Sequence, residues 1–323
     1  MRWDSAALLL AALALLCGAA SCGSSGGGQS AGSASPSPSN IVLSSPIEHL
    51  DVGDLSIAYR VIGPLDVERD DAQGPLLMIM GFSGVMDLWS PGFVESLAQD
   101  REVILFDNRG IGGTNGGSGS YPFSQLADDT AAFIVALGYE RLDVLGWSMG
   151  GDVAVDLAVR HPERVRQLIV YAGDAGGDRA IPPDKAAMAT LTDTSGTPEE
   201  RGRRLLGLLF PEEWAESHPD NVRSFPVPRE QAAPAAVRLQ EEAMGSWQGV
   251  WDELAGISAP TLLMTGTEDV LTPPRNATMM AASIPGSWLA RFEGAGHGLM
   301  YQYPVRLADT VLVFLSATAR EAT

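Results

Sequence analysis

From residue 47 the chain alternates apolar and polar positions in "IEHLDVGDLSIAYRVIG", with the turn former Gly53 at its centre, the pattern of an antiparallel hairpin at a sheet edge. Six short apolar runs follow: "PLLMIM" (75–80), "EVILFD" (102–107), "RLDVLG" (141–146), "QLIVYAG" (167–173), "PTLLMTG" (260–266) and "WLARFEG" (288–294). Most lack alternation, which predicts strands covered on both faces. Helical periodicity separates them at 123–138, 151–165, 275–286 and 305–319. Strands alternating with helices predict a mostly parallel α/β sheet with helices on both faces. One gap breaks the rhythm. Residues 176–250 are rich in Pro, Arg, Glu and Trp and carry helical patches such as "EERGRRLLGLLF", which predicts a helical cap inserted between core segments 46–175 and 251–320. No internal repeat is visible.

The first residues follow a different pattern. Residues 1–22 combine a single arginine, an apolar run from Ala6 to about Leu16, and small residues ending at Cys22, the layout of an export signal too short to span a bilayer. Residues 23–45 then offer Gly, Ser and Pro with little to bury, and a flexible, solvated linker is expected there. The arrangement resembles bacterial lipoproteins, in which the cysteine after the small residues is lipidated and becomes the mature N-terminus. That resemblance assigns lipidation to Cys22 and places the protein on the extracytoplasmic face of the cell membrane, held by a lipid anchor alone; cleavage and secretion is the rival.

Charge narrows the partners. A formal net charge of -19 repels phosphate backbones, which argues against nucleic-acid binding. The only cysteines are Cys17 and Cys22, so the folded part has no disulfide and no thiolate metal site.

The strongest chemical signal is "LGWSMGGD" (145–152), which sets Ser148 between Gly146 and Gly150 at a predicted strand-to-helix turn. In such a turn the serine takes a positive φ, and side chains two residues to either side would strike neighbouring backbone. The hydroxyl is then lifted above the sheet edge, beside the Met149 N–H and the start of a helix.

A serine nucleophile needs a base. Of the four histidines, His49 lies in the hairpin, His161 at a helix end and His218 in the cap, all positions with structural readings. His297, in "EGAGHGLM", follows the last strand, and its flanking glycines suggest a mobile loop carrying the imidazole over the sheet edge. Asp107, Asp174 and Asp269 all follow strands. Asp269 is favoured over Asp174 because it gives the chain order Ser, Asp, His. Asp107 is expected to pair with Arg109 in a turn, and Glu268 to point to the other side of its loop. A second oxyanion donor is expected after the strand at 75–80, at Phe82 N–H in "MGFSGVMDLW". Trp214, Trp247, Trp251, Met188 and Met244 are candidate pocket walls, each with ordinary packing as the plainer reading.

Together "GFSG…W", "DNRGIGGT", "GWSMGG", "APTLLMTGTEDVLTP" and "GAGHG" resemble the α/β-hydrolase superfamily over about residues 50–318. The resemblance implies an α/β-hydrolase fold with an eight-stranded, mostly parallel sheet, Ser148 as nucleophile, Asp269 and His297 completing a triad, and Phe82 and Met149 as oxyanion donors. The motifs look most like esterases of the aclacinomycin methylesterase group and cofactor-independent haloperoxidase-type hydrolases. Met80 departs from the His-Gly pair most relatives carry. A serine nucleophile sets the chain apart from haloalkane dehalogenases and epoxide hydrolases, whose position carries aspartate. The expectation is a serine esterase acting on a small or medium-sized ester, with no metal or organic cofactor. Perhydrolase activity, and a catalytically silent tethered binding protein, stand as alternatives.

Overall fold

The computed structural model describes residues 40–64, 74–99, 101–116, 119–193, 195–223 and 225–321. The signal-like segment, Cys22 and the linker through residue 39 lie outside the described residues. Eight strands form one sheet: β1 (Glu48–Val52), β2 (Leu55–Ile62), β3 (Leu76–Ile79), β4 (Val103–Phe106), β5 (Leu142–Trp147), β6 (Val165–Tyr171), β7 (Thr261–Gly266) and β8 (Trp288–Phe292). Their spatial order is β1-β2-β4-β3-β5-β6-β7-β8. The hairpin β1–β2 and the β2–β4 pair are antiparallel, and every other neighbouring pair is parallel.

The unalternating apolar runs are explained by two separate layers of packing. Leu77, Ile79, Val144, Leu168, Val170 and Leu263 belong to one apolar cluster, while Leu76, Met78, Leu145, Ile169, Leu262 and Met264 belong to the other. Successive residues on one strand point to opposite faces. Both faces are covered, so both sets must be apolar.

The helices are α1 (Ile41–Ser44), α2 (Pro91–Leu97), α3 (Ser124–Ala136), α4 (Met149–Arg160), α5 (Lys185–Thr192), α6 (Pro198–Leu209), α7 (Glu212–Ser217), α8 (Pro219–Arg223), α9 (Pro234–Ser246), α10 (Arg275–Ser283), α11 (Leu299–Gln302) and α12 (Pro304–Glu321). Helices α5 to α9 fall between β6 and β7 in the chain, the stretch for which a cap is expected, and are called the cap segment below. Helix α6 begins with a capping box: Thr197 Oγ1 accepts from Glu200 N, and the Glu200 carboxylate accepts from Thr197 N.

Two expectations change. The linker does not reach residue 45, because Asn40 caps α1 and Val42 is fully buried in the second cluster. Ile41, Val42 and Leu43 supply the apolar surface that the preceding Gly/Ser stretch lacks, and the buried Arg60 guanidinium donates to the Ser45 carbonyl. Helix α2 has no counterpart among the helices expected from periodicity. It is a single short element, with Pro91 in its first turn and Phe93, Val94 and Leu97 buried.

Candidate active site

Strand β5 ends at Trp147 and α4 starts at Met149, leaving one residue, Ser148, to make the turn. Ser148 has φ 55° and ψ -127°. A non-glycine residue at such a φ costs on the order of 1–3 kcal/mol, so its surroundings must enforce it. On one side Ser148 N donates to Tyr171 O at 2.9 Å, extending the β5–β6 ladder to the turn. On the other, Gly151 N and Asp152 N donate to Ser148 O at 2.7 and 3.2 Å, the first bonds of α4. The glycines are required by contact. A Cβ on Gly146 would lie 1.9 Å from Gly150 O, and one on Gly150 would lie 2.1 Å from Ile79 O.

The loop after β3 faces this turn. Gly81 lies close against it, since a Cβ there would lie 3.2 Å from the Ser148 Cβ. Gly84 N donates to Gly81 O at 3.1 Å, closing a four-residue turn through Phe82 and Ser83. Asn108 Nδ2 holds the Met80 carbonyl at 3.1 Å, and Gln240 Oε1, from α9 in the cap, accepts from Ser83 N at 2.9 Å. Met80 is fully buried and its side chain packs under Gly84. Among the described residues no acceptor engages the N–H of Phe82 or Met149.

His297 arrives from the loop after β8. Its Nδ1 lies 2.9 Å from Asp269 Oδ2, and both side chains are buried. The other Asp269 oxygen accepts from Leu271 N at 2.9 Å and Thr272 N at 2.8 Å, so the carboxylate is fixed from both ends. The His297 carbonyl accepts from Tyr171 Oη at 2.8 Å and from Trp147 Nε1 at 3.2 Å, and the imidazole packs against the Trp147 ring with centroids 5.4 Å apart. The histidine is thus pinned to the residue that precedes Ser148.

The glycines around His297 serve a different purpose from the mobility expected of them. A Cβ on Gly296 would lie 2.6 Å from Leu209 O, and one on Gly298 would lie 2.6 Å from the Phe210 ring. Gly298 N donates to Leu209 O at 2.8 Å, and Gln302 takes Gly296 N and donates to Gly294 O. The cap backbone presses directly on this loop and clamps it, and only glycine leaves room.

Residues 74–304 match the family described as alpha/beta hydrolase fold. The chain belongs to this family. It is 28% identical over 270 residues to a protein of Azorhizobium caulinodans named putative carbamate hydrolase RutD, covering 81% of this chain and 96% of that protein. It is also 28% identical over 255 residues to a poly(3-hydroxyalkanoate) depolymerase of Ectopseudomonas oleovorans, covering 77% and 86%. A thermophilic esterase from Thermogutta terrifontis shares the fold, with a TM-score of 0.68 at 24% identity over 84% of this chain and 98% of that one.

In this hydrolase Phe82, Ser148 with Met149, Asp269 and His297 follow the C-terminal ends of the parallel strands β3, β5, β7 and β8, the edge where sites form in open α/β sheets. The other candidates have surroundings of their own. His49 is exposed on β1, His161 bonds Asp128 at 2.7 Å at the end of α4, and His218 stacks on Trp214 at 4.6 Å. Asp174 accepts from Gly176 N at 2.7 Å, and its own N–H donates to Asp152 Oδ1 at 2.7 Å. Burial raises the pKa of both carboxyls, and for Asp152 the charge of Asp174 adds to it.

Asp107 shapes a turn, but not with Arg109. Its oxygens accept from Met86 N at 2.7 Å and Gly113 N at 2.9 Å, and burial lifts its pKa to about 7. Arg109 instead forms a two-point pair with Asp129 at 2.7 Å and reaches Asp54. Glu268 is exposed while Asp269 is buried. The cap tryptophans are engaged in packing: Trp247 stacks on Phe123 with centroids 4.3 Å apart, Trp251 Nε1 donates to Gly176 O, and Trp214 packs on Phe210. Met188 and Met244 are half-buried against the apolar clusters. Tyr171, Trp147 and Gln240 had no signal in the sequence, because their roles are contacts between segments far apart in the chain.

Proposed function

We propose that the protein is a serine hydrolase of carboxylic esters that works through Ser148, His297 and Asp269. The observation that carries this reading is the Asp269–His297 bond on an imidazole whose carbonyl is tied to Trp147 and Tyr171. A carboxylate on Nδ1 keeps the proton there, so Nε2 is the basic nitrogen. In the proposed cycle Nε2 takes the Ser148 proton as Oγ attacks the ester carbonyl. The tetrahedral oxyanion is held by the Phe82 and Met149 N–H groups, the imidazolium protonates the departing alcohol, and water then releases the acyl group by the same steps in reverse. Each donor contributes on the order of 3 kcal/mol to lowering the barrier. The cycle draws on no metal or organic cofactor.

The test is labelling by a fluorophosphonate probe together with turnover of p-nitrophenyl butanoate. Wild type should be labelled at Ser148 and should turn over; Ser148→Ala should lose the label and nearly all turnover. A label that persists in Ser148→Ala would remove the basis of the proposal. The relatives' names support an acyl-transfer hydrolase more than a binding protein. The export pattern supports attachment at a lipidated Cys22 on the extracytoplasmic face. Cys22→Ser in the full chain should move the protein from the membrane fraction, and an unchanged distribution would refute the anchor.

A further inference from the structure

The turn after β3 carries two polar groups that the proposed cycle does not use. Gln240 is fully buried; its carbonyl accepts from Ser83 N, which assigns the other end of the side chain as the NH2 group, and that group has no partner among the described residues. Ser83 Oγ is also buried and unpartnered. Ser83 has φ 52°, at the third position of a turn closed by Gly84 N to Gly81 O, a position that favours glycine. A strained serine with an idle hydroxyl stands beside an amide with idle protons. Buried polar groups in native proteins are normally hydrogen-bonded, and what sets this pair apart is its place on the turn that faces Ser148, where its unused hydrogen-bonding capacity is available to a bound substrate.

We propose that Ser83 Oγ and Gln240 Nε2 form a subsite for a neutral oxygen on the acyl part of the substrate, a hydroxyl or oxo group a few bonds from the scissile carbonyl. This rests on the ester-hydrolase reading above. The acyl side follows from the sheet order. The departing alcohol must face His297, which comes from the β8 side of β5, whereas the Ser83 turn follows β3, on the other side of β5. The distance fits as well. Ser83 is adjacent to Phe82, whose N–H is assigned to the carbonyl oxygen, so the second oxygen lies on the order of 4 Å along the same wall. Amide N–H and hydroxyl groups suit a neutral acceptor: neither carries the positive charge that a carboxylate would require.

The experiment compares p-nitrophenyl 3-hydroxybutanoate with p-nitrophenyl butanoate, which share a leaving group. Wild type should favour the hydroxy ester in kcat/KM by about tenfold or more, because only that substrate completes the buried pair. Ser83→Ala and Gln240→Met should each bring the ratio toward one. Ser83→Ala removes a single oxygen and keeps the turn, so it remains informative should Gln240→Met fold poorly. A wild-type ratio near one, or a ratio that neither variant changes, overturns the subsite while leaving the ester-hydrolase reading standing. If wild type cleaves neither ester, that reading falls and the subsite falls with it.

Discussion

Gly150→Ala tests whether close backbone contact, rather than flexibility, explains the glycines around Ser148. The added Cβ would lie 2.1 Å from Ile79 O and 2.8 Å from Met80 O. An ordinary C···O contact is about 3.3 Å, so the shorter approach falls about 1.2 Å short. Both obstructing atoms are backbone carbonyls at the end of β3, a strand paired on both sides, and no rotamer change can relieve them. Either β3 or the start of α4 must move. The upper part of the overpacking range, about 3 kcal/mol, is the expected destabilisation. At roughly 2–4 °C per kcal/mol, Tm should fall by about 6 °C or more. Because Met80 leads straight into the Phe82 turn and Gly150 lies two residues from Ser148, a shift of about 1 Å should also cost about a hundredfold in kcat/KM. Thermal unfolding and turnover of p-nitrophenyl butanoate read both effects. Gly207→Ala, in α6 with nothing within 4 Å of the added Cβ, is the control and should stabilise by about 0.5–1 kcal/mol. If Gly150→Ala keeps wild-type Tm and kcat/KM, the contact argument is wrong.

Two further outcomes follow from the buried carboxyls. Asp269→Asn should lower kcat by about 10⁴-fold with little change in Tm, because the amide oxygen can keep Leu271 N and Thr272 N while its NH2 faces Nδ1 and forces the proton onto Nε2; the kcat ratio against wild type reads it, and a drop under about tenfold would refute the tautomer argument. Burial and mutual repulsion raise the Asp152 pKa above its ordinary 3.8, so the native state holds a proton that the unfolded chain releases; the associated stability is present in acid and lost as pH rises through the raised value. Asp152→Asn can keep the bond to Asp174 N without that loss, and its Tm relative to wild type should climb as pH increases. A difference independent of pH in thermal melts would show that the pair does not ionise as argued.

Much of this site was legible from local patterns. Gly146-x-Ser148-x-Gly150 between a strand and a helix describes a turn whose sterics depend on near neighbours, and Asp269 differs from the exposed Glu268 through one step along a loop. The histidine loop was legible in position but not in character. In the sequence its glycines suggest motion, whereas in the structure Gly296 and Gly298 are small because Leu209 and Phe210 lie against them. Arg109 differs from its sequence expectation for a similar reason: Asp107 is near in the chain, but the partners it meets, Asp129 and Asp54, are distant.

What the sequence determined by itself was the order of the strands, the hairpin edge, the helical stretch between β6 and β7 and the tight turn at Ser148, because apolar periodicity and glycine spacing record constraints acting over a few residues. Only the tertiary structure decided that Tyr171 and Trp147 hold the His297 carbonyl, that the cap clamps the histidine loop, and that Gln240 reaches Ser83 across 157 positions of chain. Those contacts arise when separate segments fold against a common sheet, and no local pattern encodes which distant atoms will meet there.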